Sequence, residues 1–133
     1  MKYFLDANIC IYYLKGINEK IKIQLLMKHP DDIKIPSIVK AELLYGAEKS
    51  EKKTENLTKI NEFLLPFEIV SFSDRETDFY AKIRSILENK GIPIGPNDLI
   101  IASIVLANEG TLVTNNTVEF NRIKDLKLED WTN

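Results

Sequence analysis

Apolar positions recur in short clusters whose spacing alternates between strand-like and helix-like periods. Lys2-Tyr3-Phe4-Leu5 is a brief, aromatic-rich run that closes on Asp6, the pattern of a buried strand. Ile9 to Lys15 reads as a helix, and Gly16 stands where a C-cap belongs. A second helix is predicted from Asn18 to Lys28, with apolar residues at Ile21, Leu25 and Met27. Ile33-Lys34-Ile35 alternates up to Pro36 and predicts a second strand; Ser37 suits the N-cap of a helix running to about Lys49. The charged stretch Glu48 to Glu55 reads as a solvated helix face and turn. Beyond it a helix is predicted through Leu57, Ile60, Phe63 and Leu64 to Pro66.

Phe67 to Phe72 is the third strand candidate. Ser73-Asp74-Arg75-Glu76 has the spacing of a capping box and predicts a helix to about Asn89. Gly91 to Pro96 forms a loop, with Pro96 in the first position of a helix through Leu99, Ile100, Ala102, Ile104, Val105 and Ala107 to Gly110. Thr111 to Thr114 predicts a strand, Thr117 to Arg122 a short helix, and Lys127-Leu128-Glu129 an edge strand. Strands that alternate with helices imply a mostly parallel sheet covered on both faces, a three-layer α/β/α fold.

Composition narrows the chemistry. At 133 residues the chain is expected to form one domain over residues 1–133. One cysteine, Cys10, excludes an internal disulfide and suits a reducing cytoplasm. The first residues lack the pattern of a signal peptide, and no apolar run approaches a membrane span. A formal charge of −2 excludes a globally basic nucleic-acid coat while leaving room for local basic patches. With a single histidine, multi-histidine metal centres and Cys–His nucleophiles are ruled out as well. Carboxylates are left to carry any reaction.

In open parallel sheets, ligands bind beyond the carboxyl ends of the strands. Asp6 ends the first predicted strand, Asp98 lies in the first turn after Pro96, and Thr114, Asn115, Asn116 and Glu119 follow the Thr111 strand. Each has a plain structural reading too: Asp6 as a helix cap, Asp98 as a complement to a helix dipole, Glu119 as a surface glutamate. Glu42 is harder to account for structurally. Its helical neighbours Ile38, Val39, Tyr45 and Gly46 form a mostly apolar face, which disfavours an ionised side chain without a partner. His29, Cys10, Tyr12, Tyr13 and Trp131 read as structural, with base stacking an alternative for the two tyrosines. Gly91-Ile92-Pro93-Ile94-Gly95 matches no phosphate-binding fingerprint.

Leu5-Asp6-Ala7-Asn8, then Val39-Lys40-Ala41-Glu42-Leu43-Leu44-Tyr45-Gly46, Pro96-Asn97-Asp98-Leu99-Ile100-Ile101-Ala102 and Val113-Thr114-Asn115-Asn116 through Glu119-Phe120 occur in this order. The series resembles the PIN-domain family, specifically the VapC-type toxins of toxin–antitoxin modules, over essentially the whole chain to Leu128-Glu129-Asp130-Trp131. The resemblance implies a Mg²⁺- or Mn²⁺-dependent endoribonuclease, a homodimer, and a small antitoxin that blocks the site. The family's acids match Asp6, Glu42 and Asp98. Where many PIN domains carry a further aspartate this chain has Asn116, a departure for which Glu119 is placed to compensate. Asn8 and Thr114 match supporting polar positions. A tRNA substrate is implied as well, with the motifs closest to toxins that cut the anticodon loop of initiator tRNA.

On this reading Asp6 and Asp98 are the principal metal ligands, Glu42 holds water or acts as general base, Glu119 completes the shell and Asn116 supplies a neutral hydrogen bond. Hard oxygen ligands are what Mg²⁺ and Mn²⁺ take. Lys40, Lys49, Lys52 and Lys53 are the candidate RNA-binding rim, and each also reads as ordinary surface charge. The helices around Ile9–Leu14 and Ile38–Tyr45 offer an apolar groove for a partner, or simply core packing. Two competing readings are a PIN-like RNA- or protein-binding module without catalysis, motivated by Asn116, and aspartyl phosphotransfer at Asp6. The second wants another acid where Asn8 stands.

Overall fold

The computed structural model describes residues 1–133. Five short strands, β1 (Tyr3–Leu5), β2 (Ile33–Pro36), β3 (Glu68–Val70), β4 (Thr111–Val113) and β5 (Lys127–Glu129), form one sheet in the order β3-β2-β1-β4-β5. Every pairing is parallel. Seven helices connect them: α1 (Ala7–Lys15), α2 (Glu19–Met27), α3 (Ser37–Glu48), α4 (Lys53–Leu64), α5 (Asp74–Asn89), α6 (Pro96–Ala107) and α7 (Thr117–Phe120). Right-handed crossovers send the helices between β1 and β3 to one face and those between β3 and β4 to the other. The packing agrees, with α1 against α2, α3 and α4, and α5 against α6. The three-layer parallel fold expected from the sequence is the fold observed.

The strand order reverses at β1, which has β2 on one side and β4 on the other, so the topological switch point lies between the carboxyl ends of β1 and β4. The register Leu5 with Val113 fixes what stands there. The Asp6 amide donates to the Val113 carbonyl at 3.1 Å, and the Thr114 amide donates to that of Glu129 at 3.0 Å. Asp6 and Thr114 therefore emerge side by side, on strands whose own side chains are buried on both faces (Phe4, Leu5, Leu112 and Val113).

Local chemistry accounts for most element boundaries, and a few differ from expectation. Gly16 takes a left-handed φ of 65° to end α1, and the Asn18 side chain caps α2 by accepting from the Ile21 amide. Met27 is exposed where an apolar contact was expected; it lies round the helix from the buried Ile21 and Leu25. Ser37 is the first residue of α3 instead of its N-cap, because Pro36 holds that place with extended backbone. The capping box takes another form: the Ser73 hydroxyl donates to the Glu76 carboxylate at 3.1 Å and not to a backbone group. Burial of Glu76 between α5 and its neighbours leaves that hydroxyl as its near partner. β3 is half the predicted length, α7 stops at Phe120, and an unforeseen 3₁₀ turn at Pro30–Asp32 precedes β2, capped by the His29 ring. Trp131 pins the last residues, packing on Tyr3 with ring centroids 5.7 Å apart and donating to Glu129.

Gly110 enters β4 against the buried Phe4 ring, and a Cβ there would meet the ring at 2.4 Å. Gly110→Ala is expected to lower stability by about 1–3 kcal/mol through overpacking, read as a fall in the urea midpoint at unchanged m-value. An unchanged midpoint would mean that β1 and β4 pack more loosely than described.

Candidate active site

Four acidic residues from distant parts of the chain lie near the switch point, close enough for their charges to act on one another in pairs. Asp6 ends β1, Glu42 projects from the middle of α3, Asp98 from the first turn of α6, and Glu119 from α7. Their charges couple in pairs: Asp6 and Glu42 both act on Asp98, Asp6 acts on Glu42, and Glu119 faces Asp98 within hydrogen-bonding reach.

Asp6 is the most deeply held. It is 7% exposed, and its Oδ1 accepts from the Ile9 amide at 3.0 Å, so it is the N-cap of α1 as well as a member of the cluster. Burial drives its carboxyl pKa above the ordinary range, against the pull of the Thr114 hydroxyl and the Ile9 and Asn8 amides; the Asp130 charge adds to the rise. Thr114 is fully buried and also accepts from the Asn116 amide at 3.0 Å, which joins Asp6 to the start of the α7 segment. Asn8 contributes its backbone to Asp6 while its side chain is exposed.

Burial raises Glu42, and the Asp6 charge raises it further. It accepts no hydrogen bond from the protein, so its oxygens are free to take a proton. Asp98, half-buried, is pushed up to about 6 by burial first, then by Glu119, Asp6 and Glu42. Glu119 moves the other way. The Gly95 amide donates to its Oε1 at 3.1 Å and the Asn116 side chain to its Oε2 at 3.1 Å, and these bonds hold it ionised. Asn116 thus binds Glu119 where an aspartate would repel it.

No lysine or arginine forms an ion pair with any of the four acids. As placed, no three acidic groups converge closely enough to hold one ion between them. Two features still fit a hard divalent cation. All donors are carboxylate oxygens, and three of the four are destabilised in their charged form with no protein cation to relieve them. Mg²⁺ needs only one or two carboxylates and keeps several waters, so an open arrangement suits it.

The lysines differ among themselves. Lys40 is half-buried on α3. Lys49 lies 4.8 Å over the exposed Tyr45 ring, and Lys53 is paired with Glu48 at 2.7 Å. Lys52 is exposed and has no acidic partner. A groove of about 600 Å³ floored by Ile11, Leu14, Leu43 and Ile60 opens beside Glu42, with Lys15 and Lys59 among its lining residues. Sequence reasoning missed Asp130, which follows β5 as Thr114 follows β4, and the anchoring of Glu119 by the Gly95 amide; the strand-end rule would have flagged the first.

Comparison with known proteins adds an independent line. Residues 3–126 match the PIN domain family. The chain is 47% identical to Ribonuclease VapC2 of Rickettsia felis, over 98% of both chains. It is 35% identical to the tRNA(fMet)-specific endonuclease VapC of Salmonella typhimurium, again over 98% of both. In the crystal structure of Rickettsia felis VapBC2 bound to a promoter DNA fragment, one chain superposes with a TM-score of 0.89, at 47% identity, covering 98% of this chain and 99% of that one.

Because Asp98 is raised from 3.8 to about 6, the native state binds its proton more tightly than the unfolded chain, so stability falls as pH rises through that window. In chelator at pH 7.5, Asp98→Asn is expected to be more stable than the parent by on the order of 1 kcal/mol after solvent screening, with the gap closing towards pH 4. Chemical denaturation measures it, and a less stable variant at pH 7.5 would contradict the charge crowding.

Proposed function

Because the chain belongs to the PIN-domain family and to its VapC branch, we propose that it is an endoribonuclease toxin using Mg²⁺ or Mn²⁺, with residues 1–133 as one nuclease domain in the cytoplasm. The observation that supports this most is the proximity of Asp6, Glu42 and Asp98 near the switch point, with Glu119 beside Asp98 and no protein cation acting on the first three. No helix of the chain is long and apolar enough to cross a membrane. The non-catalytic reading rested on Asn116, and the Asn116–Glu119 pair removes its motive.

Asp6 and Asp98 would hold the ion, being the two acids that frame the switch point from β1 and α6. A bound divalent ion lowers the pKa of water and neutralises charge building on the scissile phosphate. Glu42 would accept a proton from the attacking water at its unbonded carboxylate, a role that its raised pKa supports. Glu119, fixed by Gly95 and Asn116, holds the far side of the pocket and keeps a negative charge facing Asp98. Thr114 and the Ile9 amide orient Asp6.

The substrate is proposed to be a tRNA, with the initiator anticodon loop the favoured target, in keeping with the name of the Salmonella relative. An unpaired loop presents the unstacked bases and accessible phosphates that such a cleft requires. Lys40, Lys49 and Lys52 are proposed as phosphate contacts, with Lys53 available once it leaves Glu48. The groove beside Glu42 is proposed to receive a segment of the antitoxin, and the active form is proposed to be a homodimer.

Purified protein is expected to cleave tRNA with Mg²⁺ or Mn²⁺ and to lose cleavage in chelator. Asp6→Ala and Asp98→Asn are expected to lose at least about 100-fold, since even outer partners of such sites cost about 10–100-fold. Mapping of new RNA ends reads the outcome; undiminished cleavage by both variants would refute the assignment. Lys49→Ala with Lys52→Ala should flatten the salt dependence of RNA binding by about two phosphate contacts, and an unchanged slope would remove both from the rim.

A further inference from the structure

Pro93 to Gly95 links α5 to α6; Pro93 and Gly95 are exposed, Ile94 rests half-buried against the core, and the loop backbone has few bonds of its own. Pro93 and Pro96 lack amide donors. The outside partners of its backbone both come from one turn of the α7 segment. The Arg122 guanidinium donates from Nη1 to the Pro93 carbonyl at 2.9 Å, and the Gly95 amide donates to Glu119 at 3.1 Å. Glu119 and Arg122 are three residues apart, joined by the Arg122 amide donating to the Glu119 carbonyl at 3.1 Å, so the two side chains leave the same side of the turn. Gly95 is the N-cap of α6, its carbonyl accepts from the Leu99 amide at 3.0 Å, and Asp98 stands in that first turn.

Resting on the nuclease reading, we propose that Arg122 is a positioning residue for the acid site: with Glu119 it clamps the Pro93–Gly95 loop and thereby sets the first turn of α6 and the place of Asp98. Arg122 touches no reacting atom and acts through the loop. Its guanidinium is solvent-exposed, so its removal changes global stability little. The effect on the site is larger, because a carboxylate on an unclamped turn no longer keeps its distance to Asp6. The sign of the change separates this role from simple electrostatics. Deleting a positive charge near an acid pocket favours a divalent cation, whereas loosening Asp98 disfavours it.

The test is a calorimetric Mn²⁺ titration of RNA-free Arg122→Ala, Arg122→Lys and the parent, with hydrogen exchange of the segment spanning residues 92–99. Lys20→Ala, which removes an exposed positive charge on α2, serves as control. Arg122→Ala is expected to weaken Mn²⁺ about 10-fold and to speed exchange across the loop, with Tm nearly unchanged. Arg122→Lys, which keeps one donor for Pro93, should recover most of both, and Lys20→Ala should change neither. Mn²⁺ affinity that is unchanged or tighter in Arg122→Ala overturns the clamp, as does unchanged exchange. A weaker, less salt-sensitive RNA KM with unaltered Mn²⁺ binding makes Arg122 a phosphate contact and also overturns it. Since both primary readouts omit RNA, a parent protein that cuts no RNA would refute the nuclease reading and leave this one standing.

Discussion

Repulsion among carboxylates is the constraint around which this small fold is organised. Burial first, and neighbouring acidic charge second, raises Asp6, Glu42 and Asp98 above ordinary carboxylate values, so left to themselves the three would move into water or take up protons. What keeps them together is the core beneath. The parallel register of β1 with β4 seats Asp6 beside Thr114, the buried row Val39, Leu43 and Ala47 fixes the rotation of α3, and α6, buried from Leu99 along most of its length, carries Asp98 in its first turn. The hydrophobic effect over this core is large enough to impose a charge arrangement that the charges themselves oppose.

Relief is distributed unevenly, and that unevenness suggests a division of labour. Glu119 is supplied with two hydrogen bonds and stays ionised. Asp6 is buried but capped by an amide and faced by a hydroxyl. Glu42 accepts no hydrogen bond from the protein, which suits the proton-accepting role proposed for it. Pairs of titratable groups whose environments drive their pKa values apart commonly mark acid–base roles. Asn116 belongs to the same pattern: a neutral amide there stabilises Glu119 and avoids a further negative charge in a pocket already crowded with them.

Much of this was legible in the chain before any coordinates. Asp6 after Lys2-Tyr3-Phe4-Leu5, Asp98 two residues beyond Pro96, and a glutamate on the apolar face of the Ser37 helix all mark the strand-end pocket by type and position. The fold class followed from the alternation of periods, because strands buried on both faces leave short apolar runs and the helices between them leave amphipathic ones. Less legible were features that depend on three-dimensional neighbours. Asp6 offered a cap or a site, and only the fold shows that the carboxylate capping α1 also stands beside Glu42 and Asp98. Ser73 and Glu76 had capping-box spacing, yet burial of Glu76 turned the bond from backbone to side chain. Nothing in the local sequence tells that Glu119 reaches Gly95, 24 residues earlier.

Crystals grown or soaked with Mn²⁺ offer the most direct measurement, through anomalous scattering at the manganese edge. The account requires a peak at the switch point within bonding distance of oxygens from Asp6 and Asp98, lost in Asp98→Asn crystals treated alike. A pocket that stays empty at saturating Mn²⁺, while Asp6 and Asp98 keep their places, would contradict it.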